Sequence, residues 1–99
     1  MNDMSNVLQT AIKTLSARIG DGFTDGTAKF VIEGEGAIII DAEGVRAGDE
    51  DADVTLTAAA DVFRQILDGD LDPTSAFMSG RLSVAGDMGL AMKLGSALA

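Results

Sequence analysis

The chain has 99 residues, 46% of them hydrophobic, and a formal charge of −9, which bounds it to one domain with a modest core. It contains neither histidine nor cysteine. That excludes a disulfide framework and a thiol nucleophile, removes the commonest metal ligand and neutral-pH base, and leaves no cofactor to expect. Seven Lys and Arg stand scattered against sixteen Asp and Glu, a balance that disfavours nucleic acid and anionic lipid head groups as partners.

The opening MNDMSNVLQ has no basic stretch followed by a long apolar one, so no signal peptide is expected. No apolar run approaches the roughly 18 residues of a membrane span, so no stable membrane insertion is expected. Residues 4–19 carry Met4, Val7, Leu8, Ala11, Ile12, Leu15 and Ile19 at three- and four-residue spacing, which predicts a helix. Asp3 or Ser5 suits its start and Gly20 its end. A glycine-containing loop follows over 20–26, with Phe23 expected to tuck onto the core.

Ala28, Phe30 and Ile32 alternate with Lys29, Val31 and Glu33, a period of two that predicts a strand. Gly34, Glu35 and Gly36 make a turn. Residues 37–41 contain three consecutive isoleucines and suit a central strand. A second turn at Ala42, Glu43 and Gly44 leads to a short third strand over 45–47, completing an antiparallel meander. The acidic stretch 48–53 reads as a solvated loop, and 53–57 as a fourth strand with Val54 and Leu56 inward.

Thr57 is placed to cap a helix over 58–68 with Val62, Phe63, Ile66 and Leu67 on its apolar face. After a break at 69–71, Asp72 followed by Pro73 signals a new helix start. That short helix carries Ala76, Phe77 and Met78. Residues 81–85 form a fifth strand with Leu82 and Val84 on one side. Asp87 caps a last helix through Met88, Leu90, Ala91, Met92, Leu94 and Leu98. Together these elements predict an α+β fold: a five-stranded, largely antiparallel sheet with helices on one face, in a single domain over residues 1–99.

Candidate chemistry is sparse. Asp49, Asp51 and Asp53 have the 1-3-5 spacing of a calcium loop, but Val54 and Ala60 stand where glycine and glutamate are required. Asp68, Asp70 and Asp72 repeat the spacing with Pro73 and Ser79 at those places. Gly34-Glu35-Gly36 lacks the third glycine and the helix of a dinucleotide fingerprint. Asp41, Asp61 and Asp87 are the carboxylates able to serve as a general base if one is buried in an apolar pocket; the alternative is that they cap helices or face water. Phe63, Phe77, Met78, Met88 and Met92 remain. Methionine adapts to irregular apolar ligands, yet the same set also suits an ordinary core.

Residues 76–94, AFMSGRLSVAGDMGLAMKL, closely resemble the signature of the sterol carrier protein type-two family. Ala76, Phe77, Gly80, Leu82, Val84, Gly86 and Asp87 match the fifth strand, and Ala91, Met92, Lys93 and Leu94 the last helix. Asp53, Val54, Thr55 and Leu56 resemble the fourth strand, Phe63 and Ile66 the helix after it, and Gly69 and Pro73 the helix break. Gly34, Gly36 and the isoleucine run suit the first hairpin. The resemblance implies an apolar tunnel between sheet and helices that carries a fatty acid, acyl-CoA, sterol or phospholipid without catalysis. It implies a lining drawn from Phe30, Ile32, Ile39, Phe63, Ile66, Leu67, Phe77, Met78, Leu82, Val84, Met88, Met92 and Leu94. The chain ends Ser96-Ala97-Leu98-Ala99, without the Ala-Lys-Leu type peroxisomal address of many eukaryotic members, so a bacterial, cytoplasmic protein is expected. Two other readings stay open: a small isomerase or hydrolase using a buried Asp, and an interaction module whose pocket has filled in. Oligomeric state is not legible.

Overall fold

The computed structural model describes residues 6–19 and 23–98. The helix start expected at Met4 and the caps expected at Asp3, Ser5 and Gly20 lie outside these residues. The first helix, α1 (Asn6–Ile19), buries Leu8, Ala11 and Leu15 along one stripe. Phe23 is buried after it, as its isolation among glycines predicts, and its N–H donates to the Asp41 carbonyl at 2.8 Å. Three strands follow: β1 (Ala28–Glu33), β2 (Gly36–Asp41) and β3 (Gly44–Ala47). They pair antiparallel as the expected meander, with Phe30 opposite Ile38 and Ile40 opposite Val45.

The second half runs β4 (Val54–Ala59), α2 (Ala60–Leu67), α3 (Pro73–Met78), β5 (Leu82–Gly86) and α4 (Met88–Leu98). Asp72 caps α3 by accepting the Ser75 N–H at 3.1 Å, and Asp87 caps α4 by accepting the Leu90 N–H at 3.2 Å. Both caps are the ones the sequence predicts. Thr57 is not a cap. It lies within β4 between Val31 and Ser83, and the strand continues to Ala59. Pairing with the end of β1 carries the ladder past Thr57, so α2 opens at Ala59 with no side-chain cap. The fifth strand starts one residue late because the Arg81 N–H still donates to the Ala76 carbonyl behind α3.

The strand order is β3-β2-β1-β4-β5, and the central pair β1–β4 is parallel. The sheet is therefore mixed, though mostly antiparallel. The parallel pair exists because residues 48–53 run back across the sheet instead of turning at its edge. Lys29 pairs with Asp49 at 2.9 Å and Arg46 with Glu50 at 3.0 Å, strapping this acidic stretch to the sheet's outer face. Beneath it lies Ile39, fully buried, and Gly48 packs against the Ile39 side chain. Side chains alternate across a strand, so Ile39 points away from Ile38 and Ile40.

The core sits on the opposite face. Ala28, Phe30, Ile32, Ile38, Ile40, Val54, Leu56, Ala58 and Leu82 meet Leu15, Phe63, Ile66, Leu90 and Leu94 from the helices. The Phe30 and Phe63 rings stand 4.4 Å apart, tilted by 59°, an arrangement that favours ring edge against ring face. No described polar or charged residue is buried.

Gly86 closes β5 with φ of +102°, and a Cβ there would overlap the Asp53 carbonyl oxygen. Backbone, not a flexible side chain, makes that contact. Gly86→Ala is therefore expected to cost at least about 2 kcal/mol, lowering Tm by roughly 10 °C for a domain of this size. A thermal melt within about 2 °C of the parent would contradict this packing.

Asp41 ends β2 with both carboxylate oxygens occupied. Oδ2 accepts from Arg46 at 2.9 Å and Oδ1 from the Glu43 N–H at 2.9 Å. The Arg46 hydrogen bond, then that of Glu43, holds the Asp41 carboxyl below its ordinary value of 3.8. A group lowered on folding stabilises the fold above its unfolded pKa, and that contribution disappears as pH falls through the folded value. Acid melts from about pH 5 downward should show this loss, and Asp41→Asn should flatten the slope.

Candidate functional site: an apolar cleft beneath two helices

At the β5 end the sheet is incompletely covered. The row Phe30–Leu56–Val84, one residue from each of β1, β4 and β5, forms the floor of a cavity of about 390 Å³, with Leu82 beside it. Ile66 of α2 closes one side. The roof is α3 and α4. Met88, Ala91, Met92, Gly95 and Ser96 of α4 line it, and their spacing of three, one, three and one puts them on one helix face. Pro73, Thr74, Phe77 and Met78 of α3 complete it.

Helix α4 is apolar on two sides, which explains how one helix serves both core and cavity. Leu90 and Leu94 face the sheet and are buried. The stripe from Met88 to Ser96 faces the cleft and includes glycine, alanine and serine. Small residues there leave volume: a Cβ on Gly95 would stand 3.6 Å from Pro73 Cβ, the point where α3 and α4 approach each other. The large side chains around the opening are exposed instead, at 41% for Phe77, 81% for Met78, 45% for Met88 and 73% for Met92. Surfaces of this kind mark ligand or partner sites.

Of the lining expected from the sequence, the structure gathers Phe30, Ile66, Phe77, Met78, Leu82, Val84, Met88 and Met92 around this one cavity. The other five stand elsewhere. Ile39 lies on the outer face under the acidic strap. Ile32 pairs with Ala58 one pleat further along β1 and is sealed in the core. Leu94 is on the core stripe of α4. Phe63 and Leu67 look toward α1 and line a second hollow of about 260 Å³ with Thr10, Ala11, Thr14, Ala60, Arg64 and Asp68. The Phe30–Phe63 pair thus stands between the two hollows, one ring contributing to each.

Sequence reasoning missed Leu56, Asp72, Pro73, Thr74, Ala91, Gly95 and Ser96 in the lining. The helical spacing from Met88 was a usable signal for Ala91, Gly95 and Ser96. The polar rim was not legible, because it depends on how α3 docks. Asp41, Asp61 and Asp87 do not line the cavity, and Asp61 and Asp87 are exposed. Asp41 has its carboxyl pulled down by Arg46, the reverse of what a base in an apolar pocket requires. No group of three metal-ligating side chains occurs among the described residues, and no described helix is long and apolar enough to cross a membrane.

This fold recurs in known structures. The crystal structure of Sterol Carrier Protein 2 Like 2 from Aedes aegypti superposes with a TM-score of 0.76 at 26% identity, over 91% of this chain and 94% of that one. The solution structure of Sterol Carrier Protein 2 from the same mosquito, in complex with a C16 fatty acid, gives a TM-score of 0.76 at 21% identity, over 97% of each chain. In sequence, Sterol carrier protein 2 from Rattus norvegicus is 37% identical over 82 residues, covering 80% of this chain and 14% of that protein. Hydroxysteroid dehydrogenase-like protein 2 from Xenopus tropicalis is 36% identical over 101 residues, covering 91% of this chain and 24% of that protein. The chain therefore spans less than a quarter of the length of these two relatives. With the SCP-2 sterol transfer family profile matching residues 7–99, and with the sheet, the cleft and the signature strand all in place, the chain belongs to the SCP-2 sterol transfer family.

Proposed function

We propose that the cleft beneath α3 and α4 holds the apolar part of a lipid, and that the domain carries this ligand without changing it chemically. The observation that carries the reading is the set Phe77, Met78, Met88 and Met92, exposed around a cavity whose floor is Phe30, Leu56, Leu82 and Val84. A cavity of about 390 Å³ falls within the range of small-molecule sites, which are mostly apolar with a few polar groups. Each buried methylene contributes about 0.8 kcal/mol, so an alkyl chain of moderate length is held by area alone. The mosquito neighbour solved with a C16 fatty acid supports a ligand of that scale. Fatty acid, acyl-CoA, sterol and phospholipid remain the ligand classes. A reducing bacterial cytoplasm is the setting we favour, supported by the acidic, cysteine-free composition.

Native mass spectrometry of the purified protein, followed by extraction and identification of what is released, tests the reading. A stoichiometric lipid is expected. A ligand-free protein that also takes up no added fatty acid or long-chain alcohol would overturn it.

Two substitutions probe the roof. Met92 is exposed without ligand, so Met92→Glu should change stability by about 0.5 kcal/mol or less. It should weaken lipid binding by roughly tenfold or more, because the carboxylate must be desolvated against the chain. Full binding by the folded variant would remove Met92 from the site. Gly95→Ala should raise stability by about 0.5–1 kcal/mol through helix propensity, since its Cβ meets only an ordinary contact at Pro73. The same methyl narrows the cleft, so affinity should fall while Tm rises. A rise in both would place the ligand away from Gly95.

A further inference from the structure

Polar side chains reach the cleft from Asp72, Thr74 and Ser96, where the start of α3 meets the later turns of α4. Asp72 Oδ2 accepts the Ser75 N–H at 3.1 Å. Its other oxygen has no protein partner among the described residues. The chain's seven cations lie elsewhere. Lys29 and Arg46 pair with acids on the outer face, and Lys93 faces Asp25 at 3.8 Å. Arg18 donates to the Leu67 carbonyl and Arg64 lines the second hollow. Lys13 and Arg81 are exposed and outside the lining.

We infer that this rim selects lipids whose head group is uncharged and donates a hydrogen bond, such as a long-chain alcohol, over lipids presenting an ionised carboxylate or phosphate there. The inference rests on the reading of the cleft as the lipid site. A hydroxyl at the rim donates to the open Asp72 oxygen, a charge-assisted bond, and accepts from the Thr74 or Ser96 hydroxyl. Asp72, Thr74 and Ser96 are exposed, so an anionic head there keeps much of its water but meets the Asp72 charge at short range with no cation beside it to offset the repulsion. The overall charge of −9 adds a repulsive field to its approach.

The test is equilibrium competition between radiolabelled hexadecanol and palmitate at pH 7, each below its aggregation limit. Three proteins are compared: the parent, Asp72→Asn and Thr74→Lys. Asparagine caps a helix as well as aspartate does, so α3 is kept, and circular dichroism verifies folding of both variants. The parent should prefer hexadecanol by roughly tenfold or more. Asp72→Asn should shrink that ratio by about threefold, and Thr74→Lys should shrink it further by supplying a cation. Because an alcohol leaves water more readily than a carboxylate, the change of ratio between proteins is the deciding readout. An unchanged ratio in both variants overturns the assignment to this rim. Palmitate binding as tightly as hexadecanol in the parent also overturns the inference while leaving the lipid reading intact. Failure of both ligands to bind the folded parent overturns the lipid reading itself.

Discussion

The mismatch between a five-stranded sheet and the helices available to cover it shapes the rest of the molecule. Every strand presents apolar side chains on one face, and that face must leave water. Helices α1 and α2 cover the β1–β2 side with Leu8, Leu15, Phe63 and Leu67. At the β4–β5 side the cover is α3, six residues long, and the small-residue stripe of α4. These two helices roof the row Phe30–Leu56–Val84 without filling the space above it. The cavity is what remains when a large apolar floor meets a thin, small-residue roof.

An open apolar cleft lowers stability, since its lining forfeits packing contacts. The chain offsets this elsewhere. The three isoleucines of β2 are fully buried, two in the core and Ile39 beneath the acidic strap. That strap also explains the topology: by crossing the outer face it delivers β4 parallel to β1. Parallel strands side by side align Phe30 with Leu56, and β5 then adds Val84. The site floor is thus a consequence of where residues 48–53 travel.

Much of this was legible in the sequence, for identifiable reasons. Period-two alternation and glycine turns specify the meander, because burial on one face leaves a direct imprint on residue order. Asp72-Pro73 and Asp87 announce helix starts through local hydrogen bonding, and both operate as caps. Thr57 misled because the same residue type serves as a cap or a strand residue, and only its pairing with Val31 and Ser83 decides. Ile39 misled because three consecutive isoleucines hide which face each takes; it is covered by Gly48 and the acidic strap, one end of which is tied to Lys29 twenty residues away. Phe63, Leu67 and Leu94 are expected in the lining and face inward, yet they stand outside the cleft. Whether an inward side chain meets core or cavity depends on helix docking angles, which periodicity does not encode.

If the cleft carries a lipid as proposed, it must release the ligand as well as bind it. About ten buried methylenes supply roughly 8 kcal/mol in gross transfer terms. Immobilising the ligand and ordering flexible methionines takes back several kcal/mol. Binding would then be a small difference between opposing terms, which is the condition for a ligand to be released as well as taken up. The methionines contribute adaptability rather than fixed shape. Their exposure creates an apolar patch that invites self-association, and the charge of −9 opposes it by mutual repulsion. Acidity in this chain is therefore part of how an open apolar mouth is tolerated, independent of any partner it recognises.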